Sequence, residues 1–181
     1  MENFLSNLTD DILRVEYERL KEEQIRRIGF RDNLIYVSLA VSGAIFAYYF
    51  GGHNRAYSLL MVPFSVSVLG WTYLVNDEKI SAIGKYFREE LRAELVGRGC
   101  AETSTLAWES FHRNDPDRVW RKRAQTAVDL FTFCVPSVAA VVVFLIEKHS
   151  EILPWVCSSV ALLITALLIF SFWRFADHSR G

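Results

Sequence analysis

Charge is missing from long parts of this chain. Asp, Glu, Lys and Arg make up 23% of its 181 residues, yet residues 33–54, 56–76, 130–146 and 152–173 contain none of the four. A hydrocarbon layer about 30 Å thick takes roughly 20 apolar residues of helix, and only helices or closed barrels satisfy every backbone polar group inside it. The sequence therefore predicts an all-α membrane protein with four transmembrane helices arranged as two hairpins, plus cytoplasmic amphipathic helices.

Other absences narrow the function. There are three cysteines, and Cys134 and Cys157 fall in apolar stretches while Cys100 lies in a polar one, so a disulfide framework is excluded and packing roles are expected. No P-loop, H-E-x-x-H, C-x-x-C or G-x-S-x-G motif occurs, and an enzyme is not expected. His53, His112, His149 and His178 are divided between opposite sides of the expected membrane, so neither a metal site nor a cofactor is expected. The middle of each span holds no acid or base, which argues against the buried charges of a secondary transporter. A formal net charge of −1 argues against a dedicated nucleic-acid binder. The first thirty residues are charged throughout and lack the apolar core of a signal peptide, so the first span is the expected insertion signal.

What is present has a clear order. Short connections around residues 51–57 and 147–151 pair the spans, dividing the chain into an N-terminal helix (1–32), hairpin one (33–76), a helical segment (77–125), hairpin two (126–173) and a tail (174–181). Of the twenty Lys and Arg residues only Arg55 and Lys148 fall in the hairpin turns. The bias of basic residues toward the cytoplasm then puts both termini and the middle segment in the cytoplasm, with the hairpins in the cell's inner (plasma) membrane. Trp71, Trp120, Trp155 and Trp173 stand near the expected boundaries, as an interfacial aromatic belt requires.

The polar segments read as helices. Thr9-Asp10-Asp11 offers an N-cap with acidic first-turn residues, followed by Leu13, Tyr17, Leu20, Gln24, Arg27 and Ile28 at helical spacing. Further on, Ile80, Ile83, Tyr86, Phe87, Leu91 and Leu95 share a face that ends at Gly97 and Gly99. A second helix is expected after Thr103 or Ser104, carrying Leu106, Trp108 and Phe111, with a turn at Asn114-Asp115-Pro116. Pro63 and Pro136 are candidate kinks.

Candidate functional residues follow from the same pattern. Asp129 lies a few residues into the third span, where a carboxylate is costly without water or a partner; it either lines an aqueous path or is an interfacial acid paired with Arg123, Lys122 or a neighbouring subunit's arginine. Asp32, Thr132 and Ser137 join it as candidates for a pore or its vestibule. Ala40, Gly43, Ala44 and Ala47 make a small-residue face for close helix packing, and a closed homo-oligomer, with a tetramer as the expected count, could surround a pore on its axis. Arg26, Arg27, Arg121, Lys122 and Arg123 form basic clusters beside the membrane entries, suited to anionic lipid headgroups.

The stretches Glu16-Tyr17-Glu18-Arg19-Leu20, Arg26-Arg27-Ile28, Arg31-Asp32-Asn33-Leu34 and residues 70–88 (GWTYLVNDEKISAIGKYFR) resemble a group of small bacterial membrane proteins. In organisation the chain is similar to SLATT-type antiphage effectors, Hailong-like membrane effectors among them. That resemblance implies an oligomeric channel or pore-forming effector gated from the cytoplasm, with a nucleotide or oligonucleotide signal from a partner nucleotidyltransferase as its ligand. The residues alone leave open an alternative, a non-conducting membrane anchor or scaffold that recruits a cytoplasmic partner.

Overall fold

A computed structural model describes residues 2–101, 105–106, 117–148 and 152–177. These residues form helices and turns, with no strand among them. Four helical stretches, Thr9–Phe50, Ala56–Gly97, Trp120–Lys148 and Ile152–Arg174, are long and apolar enough to cross a membrane.

Helix α1 runs over Glu2–Phe50, so it begins upstream of the cap expected at Thr9. Ion pairs one turn apart, Arg14–Glu18, Glu22–Arg26 and Glu23–Arg27, support the polar part of this helix where no apolar face is wide enough to do so. After a turn, a 3-10 segment over Ala56–Leu60 leads into α2, Met61–Tyr86. Pro63 occupies the first turn of α2, where its missing N–H has no intrahelical acceptor. A π-helical turn over Phe87–Leu91 and the short α3, Arg92–Gly97, continue the chain.

Gly97 ends α3, as its sequence position suggests, and Gly99 adopts φ +97°. Thr105 and Leu106 form a turn, with Leu106 at φ +50°; the rest of the helix expected after Thr103 or Ser104 lies outside the described residues. Trp108, Phe111, His112, Asn114, Asp115 and Pro116 lie outside the described residues, as do His149 and His178.

The third apolar stretch is divided. Helix α4 covers Arg118–Phe133 and α5 covers Val135–Lys148, with Cys134 as a one-residue break. Pro136, two residues on, cannot donate to the carbonyl of Thr132, and its ring disfavours helical geometry at the residue before it. The helical hydrogen bonds on either side persist, with Cys134 donating to the Leu130 carbonyl at 2.8 Å and Val138 to the Cys134 carbonyl at 3.0 Å. Helix α6, Ile152–Asp177, carries Pro154 in its first turn.

The chain divides into two compact units: Met1–Phe30 with Asn76–Arg118, and Arg31–Val75 with Val119–Gly181. In the first, Phe87 and Leu91 are buried, and the rings of Tyr17 and Phe87 meet at 5.1 Å. The expected stripe of α1 turns inward here except for Ile28, which is exposed. Tyr86 donates to Glu16 at 2.6 Å, Gln24 to the carbonyl of Ile80 at 3.4 Å and Arg27 to Asn76 at 3.3 Å. Polar contacts thus bind α1 to α2 where apolar ones are few.

The second unit has the larger core, containing Leu34, Leu59, Val62, Val66, Tyr73, Phe133, Phe144, Leu168 and Phe172. Spacings of three and four expose its logic: Ser137, Ala140, Val141 and Phe144 of α5 and Ser158, Ala161, Thr165, Leu168 and Phe172 of α6 are the buried faces of their helices. Gly70 permits a close approach between helices. A Cβ built there would lie 2.9 Å from a Leu168 methyl and 3.3 Å from the Phe133 ring.

Candidate functional site

Two polar clusters stand out in the second unit. The first is built on Asp129, 7% exposed near the end of α4. Its Oδ1 accepts a hydrogen bond from the Tyr73 hydroxyl and another from Gln125 Nε2, each at 2.8 Å. Gln125 Nε2 also lies 3.2 Å from the Tyr73 hydroxyl, which closes a triangle. Gln125 reaches Asp129 because residues four apart share a helix face, whereas Tyr73 comes from α2. Its ring is held by Phe133 at 5.2 Å and Phe172 at 6.1 Å, and the Arg31 guanidinium lies 5.9 Å from its centroid. A buried carboxylate is stabilised by donors of this kind, so the triangle fastens α2 to α4.

The second cluster gathers where the turns of both apolar pairs meet. Arg55 folds its guanidinium over the Tyr48 ring at 4.3 Å and donates to the Tyr48 carbonyl at 3.0 Å. Gly52 leaves room for it, since a Cβ there would approach Arg55 Cζ to 2.9 Å. Tyr49 donates to Glu147, Tyr57 meets Phe144 edge-on at 5.3 Å, and Lys148 lies 5.9 Å above Tyr57. The two basic residues of these turns are thereby held against aromatic rings, an arrangement worth more where water is scarce.

The expected pore or vestibule residues are dispersed by this packing. Asp129, Thr132 and Ser137 are covered by the chain's own helices, with Ser137 donating to the Phe133 carbonyl at 3.3 Å. Asp32 is exposed and accepts from Arg31 at 3.0 and 3.1 Å. Ala40, Gly43, Ala44 and Ala47 all lie on the exposed side of α1, opposite Leu34, Ser38 and Ser42. Ser38, Ser42 and Ser158 bury hydroxyls that find no partner among the described residues, and their small size admits close helix approach.

The basic clusters belong to different units. Arg26 and Arg27 lie in the first, where Glu22 and Glu23 bond them at 2.6 Å; the carboxylates neutralise part of the surface expected to meet anionic lipid. Arg121 and Arg123 are exposed in the second, with Lys122 half-buried. Among the described residues no three His, Cys, Asp or Glu side chains are grouped to hold a metal ion.

The sequence analysis names basic partners for Asp129 and misses both of these donors: the four-residue spacing could have found Gln125, but nothing in the sequence ties Tyr73 to it across 56 residues. The pairing of Tyr49 with Glu147 is equally long in range. No protein-family model, no curated protein and no solved structure matches the chain.

Proposed function

We propose that this chain is an inner-membrane protein with two transmembrane hairpins and both termini in the cytoplasm, acting as a homo-oligomeric channel or pore-forming effector gated by a cytoplasmic ligand or partner. The exposure of large apolar side chains supports the membrane reading. Phe50, Val68, Phe131, Ile146, Leu163 and Trp173 are each more than 60% exposed, and an apolar surface of this extent is unusual in water and ordinary against lipid. The positions of Arg55 and Lys148 support the orientation.

One observation carries the assembly: the small-residue face of α1 points away from the chain's own core. Lipid tails fill space beside small residues poorly, whereas a second helix approaches them closely and gains dispersion contacts. Copies joined through this face make a closed ring, with four the expected number. Because α1 and α2 each supply residues to both units, a ligand held by the first unit has a helical route to the spans. It gates only if it binds the open and closed states with different affinity. The SLATT-type resemblance supports a role in antiphage defence, with a nucleotide or oligonucleotide as the signal.

The burial of Asp129, Thr132 and Ser137 within one chain favours a second reading, a non-conducting anchor whose first unit recruits a partner. Planar-bilayer recordings of the purified protein separate the two. The channel reading expects discrete current steps from the assembled protein in the presence of its activator, and the anchor reading expects a silent bilayer under every condition that preserves assembly.

A further inference from the structure

A ring of more than two copies needs two different surfaces, because each copy meets its neighbours head to tail. The outward small-residue face of α1 supplies one. The other has to lie at the same depth in the bilayer, since rotation about an axis normal to the membrane moves no residue up or down. Between α2 and α6 the second unit carries a groove of about 260 Å³, lined by Ser67 and Trp71 of α2 and by Ile164, Leu167, Leu168 and Ser171 of α6. We propose that this groove receives α1 of the neighbouring copy, with Ala40 and Gly43 seated beside Ser67. The proposal rests on the reading of the chain as a ring and names the surface that closes it.

Depth selects the contact. The Arg31 guanidinium lies 5.9 Å from the Tyr73 ring, which sets these residues of α1 and α2 near one level. Ser67 stands six residues from Tyr73 toward the hairpin turn, a rise of about 9 Å. The same rise from Arg31 along α1, which runs the opposite way, reaches residue 37. Tyr36 and Ala40 flank that level and are exposed, so the groove and the small face stand at matching depths.

Gly43 points outside the subunit independently. A glycine weakens a helix relative to alanine, so its place in α1 needs a reason. Gly70 has one inside the chain, where Leu168 and Phe133 crowd it. Gly43 has none there, because a Cβ built on it meets nothing within 4 Å. The missing side chain makes room for another helix.

Ser67 supplies the matching polar group. Its hydroxyl oxygen is buried at the groove and finds no partner among the described residues, and a hydroxyl without a partner is costly in hydrocarbon. Side chains as small as those of Ala40 and Gly43 leave the backbone of α1 within its reach. Neither surface carries Asp, Glu, Lys or Arg, so no charge is taken out of water when they meet.

Disulfide trapping in native membranes tests the contact, because the bond forms only where Cβ atoms come within about 4.5 Å. In full-length protein with Cys100, Cys134 and Cys157 replaced by alanine, Ala40→Cys and Ser67→Cys are combined and oxidised with copper phenanthroline. The pair is expected to give a ladder of covalent multimers ending at four, about fivefold or more above either single variant, since every copy is bonded to two others. Ala47→Cys with Ser67→Cys, on the same face but too near the turn, should stay monomeric. With the native cysteines retained, Gly43→Leu should convert the assembled protein to monomers in nanodiscs, measured by mass photometry, while keeping the helical circular dichroism and protease resistance of wild type. This second variant decides the matter if the cysteine-free chain fails to assemble. Dimers alone from either single variant show a surface meeting itself and overturn the groove assignment while leaving an oligomer. Equal ladders from the Ala40 and Ala47 pairs, no crosslink in an assembled protein, or an assembly untouched by Gly43→Leu also overturn it. Wild-type monomers in the nanodiscs remove the ring reading together with the groove.

Discussion

Replacing Tyr73 by Phe removes one hydroxyl and leaves the ring that packs on Phe133 and Phe172. The lost bond is a 2.8 Å donation to a buried carboxylate, and hydrogen bonds to charged groups contribute about 1.5–3 kcal/mol. Helices already in a bilayer gain little from hydrophobic burial, because lipid tails are as apolar as their own side chains, so packing and polar bonds carry most of their association. Tyr73→Phe is therefore expected to cost about 1.5–3 kcal/mol. Asp129→Asn keeps the shape but leaves both of its bonds neutral, at about 0.5–1.5 kcal/mol each, for a loss of similar size. In the double variant the two losses should fall short of additive by about 1 kcal/mol, since both changes act on one bond. Reversible unfolding in bicelles, followed by tryptophan fluorescence, gives all four corners of the cycle. Tyr36→Phe, at a residue 69% exposed, serves as control. A Tyr73→Phe cost below about 0.5 kcal/mol, equal to the control and without coupling to Asp129, would refute the claim that this triangle fastens α2 to α4.

Three further outcomes are expected. A cysteine placed at Asn54 should react with a membrane-impermeant thiol reagent added to intact cells and one at Lys85 should not; labelling at position 85 would invert the topology. Gly70→Val puts atoms against Leu168 and Phe133, and overpacking of this kind costs about 1–3 kcal/mol; adding Leu168→Ala should recover part of the loss of thermal stability, and an absence of recovery would show that the contact is not the cause. The hydrogen bond to the Glu16 carboxylate holds the Tyr86 phenol above its ordinary value of 10.0. A raised value favours the protonated form in the folded state, so this stabilisation is complete below about pH 10 and fades as the pH climbs past the folded value. Absorbance titration near 295 nm should show a late-ionising phase that Tyr86→Phe reduces by one tyrosine, and an unchanged late amplitude in that variant would overturn the assignment to Tyr86.

Much of the helical framework is legible in the sequence because it depends on local periodicity. The charge-free stretches locate four apolar helices, Gly97 marks the end of α3, and the inward stripe through Tyr86, Phe87, Leu91 and Leu95 follows from spacing alone. The start of α1 is harder to read, since Thr9 is a good cap but nothing before it breaks a helix. The π-helical turn at Phe87–Leu91 leaves no compositional trace. The one-residue turn at Cys134 has Pro136 two residues on, and nothing else in the sequence marks it. The site is less legible than the framework. Asp129 stands out as an isolated carboxylate and Gln125 as its neighbour one turn away, but the donation from Tyr73 depends on how α2 and α4 pack. The exposure of Ala40, Gly43, Ala44 and Ala47 also depends on which face of α1 the other helices cover.

The central claim is that copies of this chain join through the outward small-residue face of α1 to enclose a pore. A cryo-EM structure of the full-length protein in lipid nanodiscs tests it most directly. A closed cyclic tetramer is expected, with Ala40, Gly43, Ala44 and Ala47 of each copy buried against the next and a continuous path along the axis. A monomer in lipid, or a ring in which that face of α1 meets only lipid, would contradict the account.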